Sequence, residues 1–197
     1  MNDYIQSLVD AKKLDISLKP NRWKFDHNPY IISGPCSVES EEMIVDWAHQ
    51  MKNSGVNALR GGAYKPCTYP ITEEVGTDGW KEGLREDGLK FLRIASEETG
   101  LPIVSEIMDS NQINELSMDC IDIVQVGTRN FQNYTLLDAL GELDIPILLK
   151  RGTWGTIDEI LGAVERILVR GNEKVAICLR GVVGAPSYRH VFPSIRW

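Results

Sequence analysis

The sequence predicts an α/β fold made of repeated βα units with parallel strands. Two observations carry this. Short apolar runs alternate with amphipathic stretches through most of the 197 residues. The apolar runs are mostly continuous rather than alternating, as strands read when both faces of their sheet are covered. A helical stretch separates each run from the next, and a crossover of that kind joins parallel neighbours.

Six strands are expected, at residues 30–33, 57–60, 102–107, 121–126, 145–150 and 174–179. The helix expected over 41–54 follows an acidic stretch and stops at Gly55. The next, 87–99, sets Leu89, Leu92 and Ile94 on one side and stops at Gly100. Shorter helices are expected over 111–116 and 133–143. The helix over 157–169 carries Ile157, Ile160, Leu161, Val164 and Leu168 at three-and-four spacing and ends before Gly171. Thr156 reads as its N-cap, with Glu159 three positions on, which is a capping-box pattern. Glycine just past a helix end is the usual stop signal.

Residues 1–29 read as a lead-in of a short helix and an extended segment, and residues 30–197 as the repeating domain. The longest irregular stretch is 66–86, rich in Gly, Thr and Pro, directly after the second strand. A long loop in that position usually serves function.

Composition narrows the function classes. Hydrophobic residues make up 43% and charged residues 25%, the balance of a globular protein. A net charge of -7 argues against a nucleic-acid partner, because phosphate backbones call for a basic surface. No apolar run approaches the ~20 residues of a membrane helix. The first ten residues are polar and acidic, unlike a signal peptide, so a cytoplasmic location and no membrane partner are expected. Cys36, Cys67, Cys120 and Cys178 form no C-x-x-C pair and are expected as thiols.

The chemistry collects where strands end. The first runs into Gly34-Pro35-Cys36-Ser37 and the second into Arg60-Gly61-Gly62-Ala63-Tyr64-Lys65-Pro66. The third ends at Glu106, the fourth at Gly127-Thr128-Arg129-Asn130, the fifth at Lys150-Arg151-Gly152 and the sixth at Arg180-Gly181. In an α/β barrel the C-terminal strand ends converge on one site. An acidic protein that places Arg60, Lys65, Arg129, Lys150 and Arg180 there is equipped to hold a multiply charged anion, a phosphate with a carboxylate being the natural guess. One such cation is more often a solvated or salt-bridged residue; repetition at equivalent positions favours a site. Cys36 alone reads as a small buried hydrophobe or a functional thiol, and Glu106 as a structural partner for these cations or a working acid. Cys120 and Cys178 are expected in the core, and His190 at the surface.

These motifs, with Gln125-Val126-Gly127-Thr128-Arg129-Asn130, Leu149-Lys150-Arg151-Gly152 and Leu179-Arg180-Gly181, resemble the 3-deoxy-7-phosphoheptulonate (DAHP) synthases. The short single-domain bacterial type is the nearer likeness, and the octulosonate 8-phosphate synthases are related. The resemblance covers residues 28–181. It implies a TIM-type (β/α) barrel that is incomplete here, about six of eight βα units. It implies an aldol-type condensation of phosphoenolpyruvate with an aldose phosphate, erythrose 4-phosphate in the family, at the first step of the shikimate pathway. By position, Arg60, Lys65, Pro66, Thr68, Arg129, Lys150 and Arg180 are similar to substrate-binding residues, and Lys65 and Glu106 to catalytic ones. Cys36 is similar to a ligand of a divalent metal (Mn, Fe, Zn or Co). A homo-oligomer is expected.

Two departures bear on this. Where the family usually reads Lys-Pro-Arg-Thr, this chain has Lys65-Pro66-Cys67-Thr68, and Cys67 cannot supply the charge that grips the aldose phosphate, so the acceptor stays open. The chain also stops at Trp197, whereas the family continues through two more strands bearing a His, a Glu and an Asp that complete the metal site. A chain of this length is therefore expected to be a poor catalyst. The alternative reading is a non-catalytic truncated remnant that binds phosphoenolpyruvate or pairs with an intact homologue.

Overall fold

The structure, a computed structural model, describes residues 29–66 and 83–181. Residues 1–28 of the lead-in over 1–29, Cys67, Thr68, most of the loop after the second strand, and His190 lie outside the described residues. The elements are β1 Ile32–Ser33, α1 Glu41–Asn53, β2 Ala58–Arg60, α2 Arg85–Thr99, β3 Ile103–Glu106, α3 Glu115–Cys120, β4 Ile123–Val126, α4 Tyr134–Gly141, β5 Ile147–Lys150, α5 Ile157–Leu168 and β6 Val175–Cys178. The strands follow one another in the sheet in chain order, the order that successive βα units give. Among the described residues no helix is long and apolar enough to cross a membrane.

The described residues fall into two compact units. One comprises 29–66, 83–107 and 111–124. In it β1 pairs parallel with β2, Ile32 opposite Ala58, and β2 pairs parallel with β3, Leu59 opposite Ile103. The Ser40 hydroxyl caps α1 by accepting from the Met43 N–H at 3.1 Å, and Glu41 and Glu42 in the first turn suit the positive end of the helix dipole. Ile44 and Ala48 turn inward. The buried side of α2 carries Leu89, Leu92 and Ala95, and α1 packs against α2, which packs against α3. Gly100 ends α2 in the left-handed conformation, its N–H reaching Ser96 O at 2.7 Å.

The expected helix over 111–116 forms differently. A 3-10 turn covers Ser110–Gln112, and α3 starts only at Glu115. The reason is local: the Asn114 side chain accepts from the Ser117 N–H at 3.0 Å and caps the helix there.

The other unit comprises 108–110 and 125–181. Here β5 pairs parallel with β6, Ile147 opposite Val175 through Lys150 opposite Cys178. The expected capping box of α5 is present: Thr156 Oγ1 accepts from Glu159 N at 3.2 Å, and Glu159 Oε2 accepts from Thr156 N at 2.7 Å. The bond from the Thr156 backbone N–H, followed by one at 3.0 Å from the Thr156 hydroxyl, holds the Glu159 carboxyl below its usual value. Leu136, Leu137 and Leu140 of α4 and Ile160, Ala163 and Ile167 of α5 are buried, and the two helices pack together. Arg166 and Arg170 converge on Asp138, at 2.7 and 3.0 Å, and Arg166 also lies 4.9 Å from the Tyr134 ring centroid.

Cys120 is buried, as expected for a core thiol, while Cys178 on β6 is only half-buried; both, like Cys36, are free. Burial raises the Cys120 pKa, which keeps that thiol protonated and inert.

Candidate functional site

In the unit of β1, β2 and β3 the motif residues are set by backbone contacts. Gly34 closes β1 with a φ of +148°, and a side-chain carbon there would sit 2.0 Å from Arg60 O. Only glycine permits both that angle and that approach. A carbon on Gly62 would lie 2.3 Å from Cys36 O and 2.9 Å from Lys65 Cβ. Val38 N donates to Gly62 O at 3.1 Å, and Arg60 Nη1 donates to Pro35 O at 3.2 Å. The Gly-Pro-Cys-Ser and Arg-Gly-Gly motifs are thus two edges of one joint. It brings Arg60, Cys36 and Lys65 together, all half-buried.

Glu106 ends β3 and is 8% exposed. Its neighbour Ser105 ties β3 to the joint, its Oγ accepting from Ala63 N at 3.4 Å. The far side of the joint is fastened where the chain re-enters the described residues: Gly83 N donates to Lys65 O at 3.0 Å and Arg85 N to Ala63 O at 2.8 Å. Pro66 is half-buried beside Lys65, and Thr68 falls outside the described residues.

In the unit of β5 and β6 side chains do more of the work. Arg129 lies in a 3-10 turn, Thr128–Asn130, just after β4, and is exposed. Lys150 is the last residue of β5. Arg180 follows β6 and donates through Nη1 to Thr128 Oγ1. The structure adds a residue that the sequence reading passed over: Arg151, 3% exposed, donates through Nη2 to Arg180 O at 2.5 Å, and its own N–H reaches Cys178 O at 3.2 Å. Its Nε has no hydrogen-bond partner among the described residues. The signal for it was two successive cations at a strand end. Strand side chains alternate faces, so Lys150 and Arg151 cannot both point the same way.

The loop after β5 closes over Phe131, which is fully buried. Added carbons on Gly152 and Gly155 would come within 2.3 and 2.6 Å of its ring, and the Trp154 ring meets it at a tilt of 58° with centroids 5.9 Å apart.

For a divalent metal the described residues offer one candidate ligand, Cys36, and no group of three or more His, Cys, Asp or Glu gathers among them. One thiolate does not hold such an ion. The described residues therefore do not make up a metal site by themselves, and no chemical step is routed through one below.

The geometry matches known proteins. A model of the DAHP synthetase I family matches residues 20–192. The chain is 42% identical over 152 residues to a phospho-2-dehydro-3-deoxyheptonate aldolase of Thermotoga maritima, covering 77% of this chain and 42% of that protein. It is 24% identical over 160 residues to a 2-dehydro-3-deoxyphosphooctonate aldolase of Vesicomyosocius okutanii, covering 79% of this chain and 56% of that protein. The crystal structure of the Thermotoga maritima DAHP synthase superposes with a TM-score of 0.69 at 39% identity, over 79% of this chain and 42% of that one. A truncated form of the same synthase gives 0.67 at 39% identity, over 79% and 53%. The chain spans about half the length of the relatives it matches. Its fold is that of an incomplete TIM-type barrel.

Proposed function

Because this chain belongs to the DAHP synthetase I family, we propose that it serves the condensation of phosphoenolpyruvate with an aldose phosphate to a 3-deoxy-heptulosonate phosphate. One observation carries the reading: every candidate anion ligand in the described residues stands at the C-terminal end of a strand or in the turn after it. Arg60 ends β2 and Lys150 ends β5; Lys65, Arg129 and Arg180 follow β2, β4 and β6. That is where a β/α barrel places its ligands. In this reading the cations hold the phosphate and carboxylate of phosphoenolpyruvate. C3 of the enol phosphate bonds to the aldehyde carbon, Lys65 delivers a proton to the resulting alkoxide, and Glu106 positions the water that adds at C2 as inorganic phosphate leaves. Erythrose 4-phosphate is the acceptor in the family; Cys67 supplies none of the charge that grips its phosphate there, so the acceptor of this chain is left open.

Calorimetric titration of phosphoenolpyruvate into the 197-residue chain tests the binding half. Arg129→Ala and Lys150→Ala should each weaken binding by roughly 1.5–3 kcal/mol, the worth of a charged hydrogen bond. No binding by the unsubstituted chain, or no loss in either variant, overturns the reading. Loss of phosphoenolpyruvate in the presence of erythrose 4-phosphate and manganese tests the catalytic half separately.

A further inference from the structure

Arg151 has no role in the function proposed above, yet it is the deepest-set guanidinium of its unit. It is 3% exposed and makes one side-chain hydrogen bond, to Arg180 O, while its Nε has no partner among the described residues. Burying a guanidinium is costly, and an apolar side chain of similar volume generally stabilises as well or better. A half-satisfied buried cation is therefore poorly explained as a device for stability.

Its one bond lands on the backbone of a candidate anion ligand. Arg180 is exposed and lies beyond the end of β6, where no strand pairing restrains it. Two tethers act on it instead. Arg151 holds its carbonyl, and Thr128, in the turn after β4, accepts from its Nη1. Thr128 takes one of five guanidinium N–H donors, leaving the fork geometry that matches phosphate and carboxylate. We infer that Arg151 is a positioning residue: it fixes the main chain of Arg180 so that the Arg180 guanidinium is held ready for the anion. Pre-organisation of this kind raises affinity by removing the cost of ordering a long side chain on binding.

This rests on the proposed function for the identity of the anion, so the test has one arm with ligand and one without. Without ligand, nitrogen-15 arginine labelling gives side-chain Nε–Hε signals, with that of Arg180 assigned by its loss in Arg180→Ala. In Arg151→Met that signal should move toward the position of a free, rapidly exchanging guanidinium. Thr128→Val, which releases the other tether, should do the same. Arg151→Lys keeps the buried charge and covers the case in which the Met variant fails to fold; it should shift the Arg180 signal by a smaller amount. An unmoved Arg180 signal in a folded Arg151 variant overturns the inference.

With phosphoenolpyruvate, Arg180→Ala should weaken binding about tenfold or more. Arg151→Met should weaken it by a similar factor, Arg151→Lys by less, and the double variant no more than Arg180→Ala alone. Additive losses in the double variant overturn the inference, because Arg151 would then act on the anion independently of Arg180. If the unsubstituted chain binds no phosphoenolpyruvate while the Arg180 signal still responds to Arg151, the proposed function falls and the positioning role stands.

Discussion

In the unit of β1, β2 and β3, Arg60 and Lys65 hang from a joint made almost wholly of main chain. Gly34 presses on Arg60 O, Gly62 on Cys36 O, and Ser105 reaches the Ala63 N–H. In the unit of β5 and β6, side chains place the cations: Arg151 grips Arg180 O, and Arg180 reaches Thr128. A main-chain joint tolerates no added atom, whereas a side-chain network fails one bond at a time. The first kind should break at its glycines and the second at its polar partners.

The largest effect should come from Gly34→Ala, which meets Arg60 O and demands a backbone angle closed to alanine. Strain and overpacking together should cost about 4 kcal/mol in a urea unfolding curve. A cost under about 1 kcal/mol would mean that the joint yields, and the contrast between the units would disappear.

Next comes Asn172, 3% exposed, in the unit of β5 and β6. Its Nδ2 donates to Ile145 O at 2.9 Å and Leu140 O at 3.3 Å, and its Oδ1 accepts from Lys174 N at 2.9 Å. It bolts the end of α4 to the entries of β5 and β6. Asn172→Ala should cost about 2–3 kcal/mol by leaving these groups unpaired, and Asn172→Asp, which loses the donors, should not restore stability.

The smallest effect concerns acid. The hydrogen bond from Arg166, followed by that from Arg170, holds the Asp138 carboxyl below its ordinary value of 3.8. A folded value below the unfolded one means that this stabilisation is present above the unfolded value and is lost as pH falls through the folded one. Thermal midpoints followed from about pH 6 to pH 2 should therefore fall less steeply for Asp138→Asn than for the parent. Parallel curves would show that the two arginines do nothing for Asp138 in solution, and added salt should shrink any difference.

The strands were legible because most are continuous apolar runs, and all six occur within the expected spans, shortened by one or two residues. The α5 capping box was equally legible, since Thr156 and Glu159 act within a single turn. The start of α3 was not, because Asn111 and Asn114 are both cap-forming residues and the bond from the Ser117 N–H that selects Asn114 is visible only in the structure. At the site, Arg60 and Lys150 could be placed by counting to a strand end. Arg151 could not be assigned, because its partner Arg180 is 29 residues away and no local pattern reports a bond at that distance. Composition did not reveal Ser105 or Thr128 either, each useful only through one hydroxyl pointed at a distant element.

The spacing of the paired strands also bears on the order in which the chain folds. The β5–β6 register joins Ile147 to Val175, 28 residues on, while the β2–β3 register joins Leu59 to Ile103, 44 residues on. A longer loop loses more freedom on closing, though slowly: each doubling adds roughly 0.6 kcal/mol. Parallel pairing gives nothing back until that closure is complete. The crossover through α5, self-capped at Thr156, therefore has the lower entropic threshold. The β5–β6 pair is therefore favoured to close before β3 docks on β2, whereas the glycine joint, which joins Ile32 to Ala58 only 26 residues on, has a threshold as low as that of β5–β6.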